Sequence, residues 1–339
     1  MLSFKDIIGH GDIINHFKLS IKNNKISHAY LLTGEDDSGK RVLADAYAMA
    51  LQCIDLNPKA SDIKDIDSCR TCKSCKQALS NNHPDIISIV REKASIGVDD
   101  IRNQVNKDIQ IKPYSSPYKI YIIDEAEKLT EQGQNALLKT IEEPPDYAII
   151  ILLTNNINNI LQTIQSRCVV LQLKPVSKDS IQNYLMKEHE VPDYQAELSA
   201  VFAQGNVGKA IKYSSSEEFI NIKNNTIHLL QQINNMENYE VVDFVKKLGK
   251  DKDDIINILD LILLWYRDVL MYKVTKDPNL LLYKQEIMAI SKHAKLISYE
   301  GIQNIIKEID KAKARINANV NLETTLLLML FTIKENSND

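Results

Sequence analysis

The sequence is poor in the residues that punctuate loops and fill aromatic cores. It has 10 Gly, 9 Pro, a single Trp and 6% aromatic side chains in 339 residues. So little Gly and Pro argues against a loop-rich all-β fold and for helix. Long apolar runs are also missing. The longest cover residues 120–123, 148–153 and 326–330, far short of the roughly 18 that a bilayer-spanning helix needs. Residues 1–6 carry no apolar stretch of signal-peptide type, so a cytoplasmic chain with no membrane partner is expected. No charge of one sign dominates: 41 Lys and Arg stand against 45 Asp and Glu, a net charge of −4. A stand-alone nucleic-acid binder usually shows a basic excess; a local basic face is still compatible with this balance.

Cysteine is the residue that is unevenly placed. Four of the five follow the pattern Cys53-x15-Cys69-x2-Cys72-x2-Cys75, and Cys168 stands alone. Thiols stay reduced in a cytosolic chain, so such a cluster points to a metal rather than to disulfides. Four thiolates close a tetrahedral zinc shell and leave no open position, which makes the expected role structural. An iron–sulfur cluster, or His83 in place of one thiol, are the alternatives. The ferredoxin-type run usually ends in a further Cys-Pro, absent here.

Short apolar runs at residues 29–33, 86–90, 119–124, 148–154 and 168–173 read as strands. Helical patterns separate them, including 41–53 and 98–109, the latter with apolar residues at 98, 101, 105 and 109. Strands alternating with helices imply an α/β fold with a parallel sheet. After Pro175 no strand is expected. Residues 177–190 and 195–204 read as two short helices, and the turn Gly205-Asn206-Val207-Gly208 leads into a third. Long amphipathic helices follow, among them 254–274 and 299–316. The division expected is 1–172, with a cysteine module at 53–75, then a small helical lid at 173–213 and an all-helical domain at 214–339.

Gly34-Glu35-Asp36-Asp37-Ser38-Gly39-Lys40 fits G-x-x-x-x-G-K between a strand and a helix, the context a phosphate loop requires. Backbone N–H groups of such a loop cradle phosphates, and the lysine reaches their outer oxygens. Two departures weaken ATP and Mg²⁺ binding here. Arg41 stands where a Ser or Thr hydroxyl ligates Mg²⁺, and Glu35, Asp36 and Asp37 set carboxylates where phosphate would approach. A working nucleotide site and an inherited loop that keeps only its shape are both open readings. The strand ending in Asp124 and Glu125 has the Walker B arrangement, with the Asp for the metal shell and the Glu for the attacking water.

These residues, with four stretches of sequence, resemble the bacterial DNA polymerase III clamp loader, an AAA+ assembly. Ser27-His28-Ala29-Tyr30-Leu31-Leu32-Thr33-Gly34 is similar to the family's approach to its phosphate loop. Phe4-Lys5-Asp6-Ile7-Ile8-Gly9-His10 resembles its N-terminal segment, which packs near the adenine. Gln134-Asn135-Ala136-Leu137-Leu138-Lys139-Thr140-Ile141-Glu142-Glu143-Pro144-Pro145 is the most specific stretch, and Ser166-Arg167-Cys168 matches the SRC motif. The resemblance implies an AAA+ RecA-like domain with an inserted zinc module, a helical lid and a C-terminal helical collar. It also implies that Arg167 acts in trans on a neighbour's ATP. Thr154 or Asn155 would be the sensor at the end of the fourth strand, and Lys209 the lid residue that senses nucleotide. The nucleotide-contacting set would be Gly34, Ser38, Gly39, Lys40 and Arg41, with Asp124 and Glu125 catalytic only if the site is active.

Within the family the chain resembles the delta-prime branch rather than the ATP-hydrolysing gamma/tau branch. The altered loop, His83-Pro84-Asp85, Trp265-Tyr266-Arg267-Asp268 and the length of the chain carry that distinction. The implied partners are the gamma/tau and delta subunits, the sliding clamp and, through the complex, primed DNA. An active gamma/tau-like ATPase and an unrelated AAA+ repair or regulatory protein are the competing readings.

Overall fold

A computed structural model describes residues 3–58, 60–91, 95–248 and 251–337. The five expected strands all form: β1 (Ala29–Thr33), β2 (Ile86–Ile89), β3 (Lys119–Ile123), β4 (Ala148–Thr154) and β5 (Val169–Gln172). They make one parallel sheet in the order β2-β3-β4-β1-β5. Every residue of β1, β3 and β4 is buried, which is why these segments read as continuous apolar runs rather than as alternating ones.

Side chains of a strand alternate between two faces. On one face Tyr30, Leu32, Ile120, Ile122, Ile149 and Ile151 pack with helices α1 (Gly11–Lys22) and α2 (Lys40–Leu51). On the other, Leu31, Tyr121, Ile123, Ile150 and Leu152 pack with residues 101–109 and later helices. Short helices α3 (Lys73–Leu79) and α4 (Val98–Ile101) flank β2, and α5 (Glu131–Glu142) and α6 (Gln162–Gln165) flank β4. Such a doubly covered parallel sheet is the α/β architecture expected from the sequence, and it gathers the loops at the strands' C-terminal ends.

One expected helix differs. Residues 98–109 begin as α4, widen into a π-helical stretch at Arg102–Asn106 and end in a 3₁₀ turn at Asp108–Gln110. Ile101, Val105 and Ile109 all stay fully buried, so the apolar spacing is obeyed while the hydrogen bonding is not. Asn106 in the widened stretch donates to Ala136 O at 2.9 Å and accepts from Thr140 Oγ1 at 3.0 Å on α5. Those side-chain bonds compete with regular helix geometry there.

The remaining helices are α7 (Lys178–Glu188), α8 (Asp193–Phe202), α9 (Val207–Ser215), α10 (Glu217–Gln232), α11 (Asn238–Lys247), α12 (Lys252–Thr275), α13 (Ile287–Leu296), α14 (Tyr299–Asn317) and α15 (Leu322–Asn336). No strand follows β5 among the described residues. By contacts the chain forms two units: residues 1–184 with 204–209, and residues 185–203 with 210–339. The segment expected as a lid is therefore shared between the units.

In the second unit α12 is the central helix, and its Trp265, Tyr266 and Val269 are fully buried. The stretch Trp265-Tyr266-Arg267-Asp268 has a structural explanation. Trp265 Nε1 donates to His293 Nδ1 at 3.1 Å, and buried Asp268 accepts the N–H groups of Leu282 at 2.7 Å and Tyr283 at 2.9 Å. A carboxylate out of water requires such donors, and Arg267 supplies a further one at 2.8 Å. The apolar run in α15 is buried on one side only: Leu326, Met329 and Leu330 lie in the core, while Leu328 is 50% exposed. No described helix is long and apolar enough to cross a membrane.

Candidate functional site: a phosphate loop and a four-thiol cluster

The turn after β1 is the phosphate loop, and α2 starts at Lys40 behind Gly39 (φ 98°). No side chain caps this helix end, so its first N–H groups and positive dipole face the loop. Lys40 folds back on the loop itself, donating from Nζ to the carbonyls of Gly34 and Glu35, each at 2.6 Å. Burial pulls its ammonium below the ordinary lysine pKa, against the pull of Asp36, Glu127, Asp124 and Asp37. The buried Ser38 Oγ has no partner among the described residues. The Ser38 carbonyl meets His10 Nε2 at 3.1 Å. That contact ties the N-terminal segment to the loop beside a cavity of 660 Å³ lined by Gly9, His10, His16, Lys174, Pro175 and Ser177.

Arg41 points its guanidinium at the Walker B acid. NH1 lies 3.5 Å from Asp124 Oδ2, Nε bonds Asp45 Oδ1 at 3.0 Å, and NH2 donates to Ser88 Oγ. A permanent cation thus occupies the flank of Asp124 where a P-loop protein assembles its metal shell. Burial raises the Asp45 pKa, and Arg41 opposes that rise. Glu125, in a left-handed backbone conformation (φ 46°), is paired with Arg91.

The two sensor candidates separate. Thr154 is fully buried and its hydroxyl closes a turn with Asn156, donating to O and accepting from N, both at 3.1 Å. Asn155 is exposed and reaches the loop: Nδ2 lies 3.1 and 3.2 Å from the two carboxylate oxygens of Asp36. Lys209 also reaches it, with Nζ 3.3 Å from Glu35 Oε2.

Arg167 lies in the turn before β5 and is exposed. NH1 donates to Thr163 O at 3.0 Å and Ser166 Oγ at 3.2 Å, and NH2 pairs with Glu142 Oε1 at 3.0 Å. Next to it, burial pushes the Cys168 thiol up to about 12, so this cysteine is a poor nucleophile.

The sulfur atoms of Cys53, Cys69, Cys72 and Cys75 all lie within 4.8 Å of one another, with Cys69 and Cys75 at 3.9 Å. Disulfide bonding requires about 2.05 Å, and all five cysteines are free. Sulfurs around a tetrahedral zinc with bonds near 2.3 Å would be about 3.8 Å apart. Backbone N–H groups point at three of the sulfurs: Cys69 N donates to Cys53 Sγ at 3.3 Å, Cys72 N to Cys69 Sγ at 3.3 Å and Cys75 N to Cys72 Sγ at 3.4 Å. Burial raises the Cys53 pKa. Burial also opposes ionisation of Cys69, yet hydrogen bonds from Thr71 and Cys72 bring it down to about 6. The donor set could hold a metal ion. His83 is not part of it: its Nε2 meets Ser74 Oγ at 3.0 Å and Ser116 Oγ at 3.3 Å, and its Nδ1 accepts from Asp85 N at 3.1 Å.

Several residues that matter to these sites carried no motif. Asp45, Ser88 and Arg91 surround the Walker B acids from other elements, and only the fold brings them there. Asn206 offered a local signal, being a good N-cap residue type just ahead of α9. Its Oδ1 accepts from Lys209 N at 3.1 Å while Nδ2 donates to Asp36 O at 2.7 Å. The cysteine module also anchors the chain's start, because Asp67 accepts from the N–H groups of Phe4 and Lys5 at 3.2 and 3.1 Å and Arg70 pairs with Asp6.

Residues 9–177 match the family model described as DNA polymerase III, delta subunit, and residues 217–334 match its C-terminal counterpart. A DNA polymerase III subunit delta' of Bacillus subtilis is 28% identical over 93% of this chain and 93% of its own length. A DNA polymerase III subunit gamma of Buchnera aphidicola is 31% identical over 67% of this chain and 61% of its own length. Among solved structures, a DNA polymerase III gamma subunit-related protein of Thermotoga maritima aligns over 96% of this chain and all of its own. It has 21% identity and a TM-score of 0.43.

Proposed function

Since the chain belongs to the family of DNA polymerase III clamp-loader subunits, we propose that it works as a delta-prime-type member of that assembly. In this reading it joins gamma/tau-type and delta-type subunits in the cytoplasm and helps place the sliding clamp on primed DNA. It meets the DNA mainly through the complex. Its own phosphate loop turns over no ATP. The observation that carries this is the Arg41–Asp124 pair. A guanidinium held by Asp124, Asp45 and Ser88 excludes a divalent ion from the acid that would orient it, and no hydroxyl at position 41 replaces the lost ligand. The residues present do not fit Mg²⁺, so no hydrolytic step is routed through this site.

Arg167 is the residue proposed to act in catalysis, on ATP held by a neighbouring subunit. It is exposed and permanently charged, and its planar donors match a γ-phosphate. Its pairing with Glu142 on α5 holds the guanidinium at the surface until a stronger anion replaces the carboxylate. Cys53, Cys69, Cys72 and Cys75 would hold zinc, which supplies a small core for the segment between α2 and β2, where few apolar side chains are available.

Co-expression with gamma/tau-type and delta-type subunits, followed by purification and subunit identification, tests the role. The chain should co-elute in a stoichiometric complex. Elution alone, with all other subunits assembling without it, would contradict the role.

A further inference from the structure

Two of the three acids of the phosphate loop meet, through their carboxylates, groups that AAA+ proteins direct at nucleotide phosphates. Asp36 takes both hydrogen bonds of the Asn155 amide, at 3.1 and 3.2 Å. Glu35 takes the Lys209 ammonium at 3.3 Å. Backbone contacts extend the match. The Asp36 carbonyl accepts from the buried Asn206 side chain at 2.7 Å, and the Asp37 carbonyl accepts from Gly208 N at 3.1 Å. Asp37 is left-handed (φ 59°), which turns its carbonyl toward Gly208. Only glycine permits this approach: a Cβ at position 208 would lie 2.6 Å from Asp37 O and 2.8 Å from Asp37 Cβ.

We propose that Glu35, through its carboxylate, and Asp36 and Asp37, through their backbone carbonyls, form a built-in ligand that keeps residues 205–209 docked on the phosphate loop with no nucleotide present. Carboxylate oxygens carry the same kind of charge as phosphate oxygens and accept from the same donors. In a nucleotide-dependent relative, a bound phosphate biases such a segment toward the loop, and losing the phosphate releases it. Here the anion is covalently part of the loop, so its effective concentration never falls and the segment has no nucleotide-dependent equilibrium. This builds on the nucleotide-independent role proposed above. The altered loop thereby supplies a replacement for the ligand, in addition to having lost the means to hold one.

Hydrogen–deuterium exchange on the isolated full-length chain tests the latch. The amide of Gly208 reads docking directly, because its partner is Asp37 O. Addition of ATP with Mg²⁺ should leave its exchange unchanged. Gly208→Ala should speed exchange of residues 206–209 about tenfold or more, since the added methyl forces the segment off the loop. Glu35→Lys should speed it roughly two- to fivefold, the scale of one exposed ion pair. The swap Glu35→Lys with Lys209→Glu should return it toward the parent value. Parent-like exchange in Gly208→Ala, no rescue by the swap, or slowing of exchange by ATP would each overturn the latch. Because the measurement uses the chain alone, a failed latch and a failed assembly role give different results.

Discussion

At position 41 a guanidinium stands where P-loop proteins place a hydroxyl, and its three partners come from three different elements. Asp45 on α2 is four residues away and could be guessed from helical spacing. Ser88 on β2 and Asp124 after β3 could not, because their approach depends on strand order. The departure at 41 was therefore legible in the sequence, but its consequence was not. Replacing Arg41 by Thr removes the cation and restores a hydroxyl. The variant should bind a fluorescent ATP analogue with an affinity that rises about tenfold or more on adding Mg²⁺, while the parent shows no Mg²⁺ dependence. The same substitution leaves half-buried Asp45 without its ion pair, so it should also lower the melting temperature. Asn155 makes a similar point. Thr154 and Asn155 are equivalent in sequence, and only the last turn of β4 decides that one is buried in its own hydrogen bonds and the other faces the loop.

The elements themselves were largely readable. All five strands follow from apolar runs, and the three central ones, β1, β3 and β4, are clearest because strands buried on both faces carry no polar alternation to confuse the pattern. The stretch 98–109 was readable in its apolar spacing and not in its hydrogen bonding, since the π-helical segment owes its shape to Asn106 meeting α5. The cysteine module was readable as four thiols that the fold brings together. Its attachment was not: Asp67 and Arg70 hold residues 4–6 from more than sixty positions away. If zinc is the core of this module, elemental analysis should find about one zinc per chain. Stripping it with a chelator should lower the melting temperature by more than about 5 °C, and Cys75→Ser should cost a similar amount. The two losses should not add, because each removes the same site. Iron, or no metal, in the purified protein would contradict the assignment.

On the scale of the whole molecule, two units are built by different rules: one around a parallel sheet, the other around α12. The sequence showed the boundary region as a loss of strand signals, but not that residues 204–209 belong with the sheet unit while 185–203 belong with the helices. The helical unit contains a buried histidine whose titration reports on its integrity. Burial pushes His293 down to about 4, with Lys292 acting in the same direction, and the Trp265 N–H requires its Nδ1 to stay unprotonated. The unfolded chain binds that proton near pH 6.5. Between about pH 6.5 and 4 the unfolded state therefore holds more protons, and stability falls as pH falls. His293→Gln should flatten this part of the melting-temperature profile relative to the parent. An unchanged slope would show that other groups carry it.

The central claim is that this subunit contributes an arginine to a neighbour's ATP and no ATP turnover of its own. Steady-state ATP hydrolysis by the reconstituted assembly, with clamp and primed DNA present, separates the two roles when Lys40→Ala and Arg167→Ala are compared with the parent. Lys40→Ala should leave turnover unchanged. Arg167→Ala should abolish it at the one neighbouring site, where such a residue is worth about 10³–10⁵ in rate, and lower the total while assembly stays intact. Turnover that falls with Lys40→Ala and is unmoved by Arg167→Ala would contradict the account.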